Sequence, residues 1–186
     1  MTNICIFASG QGSNFENIVN HFKDSKSVNI SFLVSNKKDC GAIQKAKSYN
    51  IKTLIVSDNY SDLIQLMIEN QIKLIVLAGY LKKIPIELIK SFTIINIHPS
   101  LLPKFGGKGM YGMNVHKAVI ESGDLESGIT IHYVNEEFDK GEIISQYKCK
   151  IEREDTPEIL SHKIHTLEKN FPVEIEMLIN KLNLII

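Results

Sequence analysis

The feature that most constrains how this chain folds is an alternation running through its first half. Apolar runs at residues 4–8, 28–34, 52–56, 73–78 and 92–97 are separated by stretches with helical spacing of apolar side chains. The clearest of these, residues 14–22, puts Phe15, Ile18, Val19 and Phe22 on one face. Residues 61–70 do the same with Leu63, Ile64, Met67 and Ile68. Further helices are predicted at 41–49, with Asp39 as the cap, and at 85–90, opened by Pro85. Strands that are apolar on both faces and joined by helices belong to a parallel sheet covered on both sides. The expected fold is therefore α/β: a doubly wound, mostly parallel sheet with a Rossmann-like N-terminal half.

The second half reads differently. Residues 106–112 are glycine-rich and aperiodic, hence a loop, and 114–122 form a helix. Residues 129–134 alternate and face 143–151, which predicts a pair of added C-terminal strands, antiparallel to each other. Thr156 then caps one long terminal helix opened by Pro157. With no repeat, linker or low-complexity tract, the simplest organisation is one domain over residues 1–186. Lys plus Arg and Asp plus Glu are both 21, so charge gives no footprint for nucleic acid or an acidic membrane surface. Cys5, Cys40 and Cys149 are too few and too widely spaced for a disulfide framework or a zinc site. No signal peptide and no apolar run of about 20 residues is visible, and a cytoplasmic location is expected.

Two segments carry chemistry. Gly10-Gln11-Gly12-Ser13-Asn14 joins the first strand to the first helix. A helix N-terminus presents unpaired backbone N–H groups and the positive end of the dipole, so a phosphate at Gly12, Ser13 and Asn14 is a physical expectation; a plain tight turn is an equal alternative. A dinucleotide fingerprint would need glycine where Phe15 stands and an acid where Asn36 stands. A nucleoside-triphosphate loop would need a Gly-Lys-Ser or Gly-Lys-Thr ending, which the chain lacks.

The second segment is Asn96-Ile97-His98-Pro99-Ser100-Leu101-Leu102-Pro103. Asn96 and His98 sit two positions apart at the carboxyl end of a predicted central strand, where open α/β sheets bind ligands, so their side chains share one face. An amide and an imidazole side by side suit acyl transfer to an amine: both can donate to a developing oxyanion, and the imidazole can move a proton. A carboxylate is wanted to orient or ionise His98, and Asp139, in the turn Phe138-Asp139-Lys140-Gly141, is the best candidate. His116 and His132 read as structural histidines of the flanking helix and strand, and His21, His162 and His165 as surface residues.

These pieces, in this order, resemble the phosphoribosylglycinamide formyltransferase (glycinamide ribonucleotide transformylase) family of purine biosynthesis. The resemblance rests on Ser9-Gly10-Gln11-Gly12-Ser13-Asn14, Val34-Ser35-Asn36, Leu77-Ala78-Gly79-Tyr80, the Asn96 to Phe105 run, Gly128-Ile129-Thr130-Ile131-His132 and Phe138-Asp139-Lys140-Gly141. It implies a catalytic trio of Asn96, His98 and Asp139, a substrate phosphate on Gly12, Ser13 and Asn14, and a substrate ribose at Glu168. Leu81, Lys82, Lys83 and Ile84 would line a folate pocket, together with Asn96. Asn135, Glu136, Glu137, Phe138 and Asp139 would wrap the pteridine. The co-substrate would be 10-formyltetrahydrofolate, with no metal; the partners would be small molecules, with no nucleic acid and no membrane, and the protein a monomer or homodimer. The phosphate-binding half would span about 1–95 and the catalytic, folate-binding half about 96–186.

Lys82 stands where many members have arginine, keeping the charge but losing the bidentate fork. Many also carry an arginine in the segment corresponding to residues 57–62, where this chain has none, and the 106–112 loop is longer than in many. The competing readings are hydrolysis of formyltetrahydrofolate, formyl transfer to an amino sugar nucleotide or a charged tRNA, and a non-catalytic nucleotide-binding module. The expected absence of an added N-terminal regulatory domain and of a C-terminal nucleic-acid domain disfavours the hydrolase and the tRNA enzyme.

Overall fold

A computed structural model of the chain describes residues 1–57 and 59–184. Its strands are β1 (Thr2–Phe7), β2 (Val28–Ser35), β3 (Thr53–Ile55), β4 (Ile72–Leu77), β5 (Thr93–His98), β6 (Glu126–Tyr133) and β7 (Ile143–Lys150). Its helices are α1 (Ser13–Phe22), α2 (Gly41–Ser48), α3 (Ser61–Glu69), α4 (Ile86–Ser91), α5 (Met113–Ser122), α6 (Pro157–Glu168) and α7 (Phe171–Lys181). The strands form a seven-stranded sheet in the order β3-β2-β1-β4-β5-β6-β7. β1 pairs in parallel with both β2 and β4, and β2 with β3, the doubly wound arrangement expected. β6 and β7 pair antiparallel, from Glu126 opposite Lys150 to His132 opposite Ile143, as the alternation predicted.

The chain divides into two compact units. The first comprises residues 1–95 and the segment from Pro172 onward; the second is Asn96–Phe171. In the first unit, β1 is buried almost throughout, and α1 inserts Phe15 and Ile18, both fully buried, with Val19 and Phe22 beside them. Each such side chain contributes about 1.5–3 kcal/mol on leaving water. In the second unit, Val115 and Val119 of α5, Ile129 and Ile131 of β6, and Leu160 and Ile164 of α6 make the apolar core.

Two local expectations are corrected. Cys40, not Asp39, occupies the N-cap of α2, and no side chain caps it. Its extended backbone sets the helix start, so Asp39 stands one residue too early. The single long terminal helix is two, because α6 stops at Glu168 and α7 starts at Phe171. Pro172 explains the break: a proline there has no N–H to donate and its ring would collide with the carbonyl four residues earlier, at Glu168. Thr156 does cap α6, its hydroxyl accepting from the Ile159 N–H at 3.3 Å, with Pro157 in the first turn.

Candidate active site

In the first unit, the turn after β1 is fixed mainly by backbone. The Ser9 N–H donates to the Gly79 carbonyl at 3.0 Å, and the Ala42 N–H to the Gly10 carbonyl at 3.1 Å. The Ser9 hydroxyl donates to Asn36 Oδ1 at 2.5 Å, giving the Val34-Ser35-Asn36 segment its role. Gly12 is the N-cap of α1 with φ of 77°, and a Cβ there would meet Ala42 Cα at 2.7 Å. Only glycine satisfies both demands. α1 has no side-chain cap, so its first N–H groups are presented at Ser13 and Asn14. Asn14 is buried, and its Oδ1 has no hydrogen-bond partner.

In the second unit, the sequence-predicted trio is brought together. β5 ends at His98, so Asn96 and His98 leave the sheet on one face. Asp139 Oδ1 lies 3.5 Å from His98 Nδ1 and accepts from Asn96 Nδ2 at 3.5 Å. Its other oxygen accepts the Gly107 N–H at 2.8 Å. Asp139 adopts a positive φ of 55° to aim its carboxylate there. Gly106 makes room for it, since a Cβ on residue 106 would meet Leu102 Cδ2 at 2.6 Å and Asp139 Cβ at 3.1 Å.

The structure adds a residue that the sequence reading assigned to structure alone. His132, only 2% exposed, has Nε2 3.1 Å from Asn96 Nδ2 and 3.7 Å from Asp139 Oδ1. Its Nδ1 lies 2.7 Å from the Tyr133 carbonyl, which can only accept, so Nδ1 carries the hydrogen and Nε2 accepts from the Asn96 amide. The same logic fixes His98. Its Nε2 lies 2.8 Å from the Phe105 carbonyl and must donate, which turns Nδ1 toward Asp139. The single N–H of neutral His98 is therefore spent on Phe105, and the expected oxyanion donor from this ring is Nδ1–H, present when the ring is protonated.

Burial pulls the His98 imidazole below its ordinary value, as does the charge of His132, against the opposing pull of Asp139 and the Phe105 carbonyl. For Asp139, burial alone would push the carboxyl up; the neighbouring His132 and His98 imidazoles and the Gly107 N–H outweigh it and hold it below the usual carboxylate range. The pair is thus poised as a carboxylate beside a neutral imidazole near neutral pH.

The turn after His98, whose Leu102–Pro103 bond is cis, hangs on Thr130. The Thr130 hydroxyl donates to the Ser100 carbonyl at 2.7 Å and accepts from the Leu102 N–H and from Gln146 Nε2, each at 2.9 Å. Gln146 Nε2 also donates to the Leu102 carbonyl at 3.0 Å. One donor and two acceptor sites are all a hydroxyl has, so Thr130 is fully used.

A cavity of about 410 Å³ opens beside Asp139, walled by Leu102, Pro103, Gly106, Phe138 and Ile143. Asn135, Glu136, Glu137 and Phe138 are exposed on the loop after β6. Asn135 shapes that loop, accepting the Glu137 N–H at 3.0 Å and donating to the Lys140 carbonyl at 3.1 Å. Glu137 pairs with Lys140 at 2.5 Å. A larger cavity of about 830 Å³, lined by Leu101, Phe105, Leu125 and Ser127 among others, contains none of the trio. Glu168 is buried at the end of α6, in a separate polar cluster with His165. In the first unit, Leu81 and Lys83 are exposed, Ile84 is buried, and the half-exposed Lys82 donates to the Ser57 carbonyl at 3.4 Å. Among the described residues, no group of three or more His, Cys, Asp or Glu side chains is arranged to hold a metal ion, and no helix is long and apolar enough to cross a membrane.

The formyl transferase family model matches residues 2–175, across both units. The chain belongs to the formyl transferase family. Family members similar to it include the chloroplastic phosphoribosylglycinamide formyltransferase of Arabidopsis thaliana, 45% identical over 92% of this chain and 63% of that protein. This chain thus spans somewhat under two thirds of that relative's length, and 59% of a Vigna unguiculata relative of the same name. The phosphoribosylglycinamide formyltransferase of Bacillus subtilis is 36% identical over 96% of this chain and 95% of its own. Among solved structures, the phosphoribosylglycinamide formyltransferase of Bacillus halodurans superposes with a TM-score of 0.86 at 32% identity, covering 97% of each chain. The family membership and the seven-stranded sheet agree.

Proposed function

We propose that this chain transfers the formyl group of 10-formyltetrahydrofolate to the amine of 5′-phosphoribosylglycinamide, a step of purine biosynthesis. The observation that carries the reading is the convergence of His98 Nδ1 and Asn96 Nδ2 on one oxygen of Asp139. The names of the relatives support the choice of substrates.

In this reading the acceptor amine attacks the formyl carbon, and its carbonyl oxygen becomes an oxyanion. Asn96, held by His132, turns the amide N–H that it gives Asp139 at 3.5 Å onto that oxygen. The amine nitrogen, now positive, gives up a proton to the His98–Asp139 pair, which has an ionised carboxylate and a free nitrogen lone pair to receive it. The protonated His98 then offers Nδ1–H. Collapse of the tetrahedral intermediate breaks the bond to N10 of the folate, and the same proton passes to that nitrogen. Atoms balance: one formyl group and one proton exchange places between two amines.

Gly12, Ser13 and Asn14 would hold the substrate phosphate, and Glu168 its ribose. Leu81, Lys82, Lys83 and Ile84, with Asn96 and residues 135–139, would form the folate site. The test is an assay of purified protein with both substrates, following tetrahydrofolate release. No release would sink the reading, and release without any amine would replace it with hydrolysis.

A further inference from the structure

The inference drawn here rests on the proposed function and concerns a part of it that the trio does not explain. Glu168 closes α6 and is only 7% exposed. Its Oε2 lies 2.8 Å from Nδ1 of His165, one turn earlier on the same helix, and the His165 side chain is 55% exposed. A carboxylate this buried is costly unless its oxygens are engaged. His165 engages one and leaves Oε1 to accept from something else. A second buried group in the same unit is also incomplete: His116 of α5, 4% exposed, has an Nδ1 with no hydrogen-bond partner. α5 packs on α6, and His116 is close enough to feel the charges of both His165 and Glu168. A buried carboxylate with an oxygen to offer and a buried imidazole nitrogen without a partner match a ligand bearing adjacent hydroxyls.

We infer that His165 is a positioning residue for substrate binding: it clamps Oε2 of Glu168 so that Oε1 is presented to the hydroxyls of the acceptor's ribose. His165 would touch no substrate atom, so it would act on substrate affinity and leave the chemical step alone. The Glu168 hydrogen bond, with help from its charge, holds the His165 imidazole above its ordinary value despite partial burial. His116, lowered by its own burial and by the charges of His165 and His98 against the pull of Glu168, is a second titratable group in this cluster. As pH rises through the raised value, His165 loses its charge and the clamp weakens to a neutral hydrogen bond. Ribonucleotide affinity should fall over that range, not in acid.

The experiment compares wild type, His165→Ala and His165→Gln in steady-state kinetics and in calorimetric binding of glycinamide ribonucleotide and of its analogue lacking the ribose hydroxyls. His165→Ala should raise KM for the ribonucleotide about tenfold, the worth of one hydrogen bond to a charged group, with kcat within twofold. His165→Gln, which keeps a donor without the charge, should fall between. The alkaline rise in KM should disappear in both variants, and the analogue lacking hydroxyls should bind wild type and His165→Ala alike. An unchanged KM with a lowered melting temperature would make the pair a helix-end contact only and overturn the inference, as would a fall in kcat alone. Calorimetry separates the two layers. Wild type that binds the ribonucleotide but transfers no formyl group refutes the proposed function and leaves the clamp testable by binding.

Discussion

The glycine turn of the first unit and the polar cluster of the second are built from opposite materials. At Gly10 to Asn14, the groups that matter are backbone N–H groups, and side chains mainly keep them in place: Ser9 on Asn36, Gly12 because nothing larger fits against Ala42. At Asn96, His98, His132 and Asp139, the groups that matter are side chains, and the backbone serves them: Phe105 and Tyr133 carbonyls fix two imidazole tautomers, and Gly107 fixes a carboxylate. A backbone site tolerates little change of conformation but is indifferent to most side chains. A side-chain site is the reverse: each atom is replaceable by mutation, and each replacement removes chemistry without unfolding the chain. The two should fail in different ways.

The largest expected failure is chemical. Asp139→Asn should reduce turnover about 10³-fold while binding of the phosphorylated substrate at Gly12 to Asn14 persists in calorimetry; loss of both would show that the regions are not separable. The same variant tests electrostatics. The Asp139 carboxyl is held below its unfolded value, so the unfolded chain binds more protons in the acid range, and stability rises with pH there and is lost as pH falls. Asp139→Asn should flatten that acid-side dependence of the urea midpoint.

Next comes the support of the second site. Thr130→Val strands the Leu102 N–H, the Ser100 carbonyl and one bond of Gln146. It should cost about 3 kcal/mol of stability, read by urea unfolding, and slow turnover far more than it weakens phosphate binding.

Gly12→Ala places a Cβ at positive φ and against Ala42. About 2 kcal/mol of strain is expected, a drop of roughly 6 °C in melting temperature, with ribonucleotide KM raised more than kcat is lowered. Equal loss of both would mean the turn takes part in the chemical step. The smallest effect belongs to Lys82→Ala. A half-exposed ammonium that donates to the Ser57 carbonyl at 3.4 Å should alter KM for polyglutamated folate by less than about threefold at physiological salt.

How much of this was legible in the sequence follows from the same contrast. The sheet and α1 were readable because hydrophobic periodicity is local: Phe15, Ile18, Val19 and Phe22 announce one face without reference to anything distant. The turn at Gly12 was readable for the same reason. Asn96 and His98 could be paired by strand parity, but their link to Asp139 crosses some forty residues, and no local pattern measures that. His132 was assigned to structure only, because a single histidine in a buried strand is usually that. A signal was nonetheless present. Thr130 and His132 are buried polar residues two apart on one face of β6, opposite the face of Ile129 and Ile131, and both reach the β5 segment, Thr130 at Ser100 and Leu102, His132 at Asn96. The break before α7 was signalled too, by Pro172. The Glu168–His165 contact was open to i, i+3 reasoning, but its burial depends on α5 and α6 packing together, which sequence spacing does not report.

The tautomer of His98 has one more consequence. With Nε2–H spent on Phe105, a neutral His98 turns a lone pair toward an ionised Asp139 3.5 Å away, so two acceptors face each other with nothing shared between them. The site is one proton short. A ligand that brings that proton, such as an ammonium or a protonated amine, should relieve this and bind more tightly than a neutral isostere of the same shape. Because that proton arrives with the ligand, its calorimetric heat should not vary with the ionisation enthalpy of the buffer, while a neutral isostere that makes the site draw a proton from solvent should show that dependence.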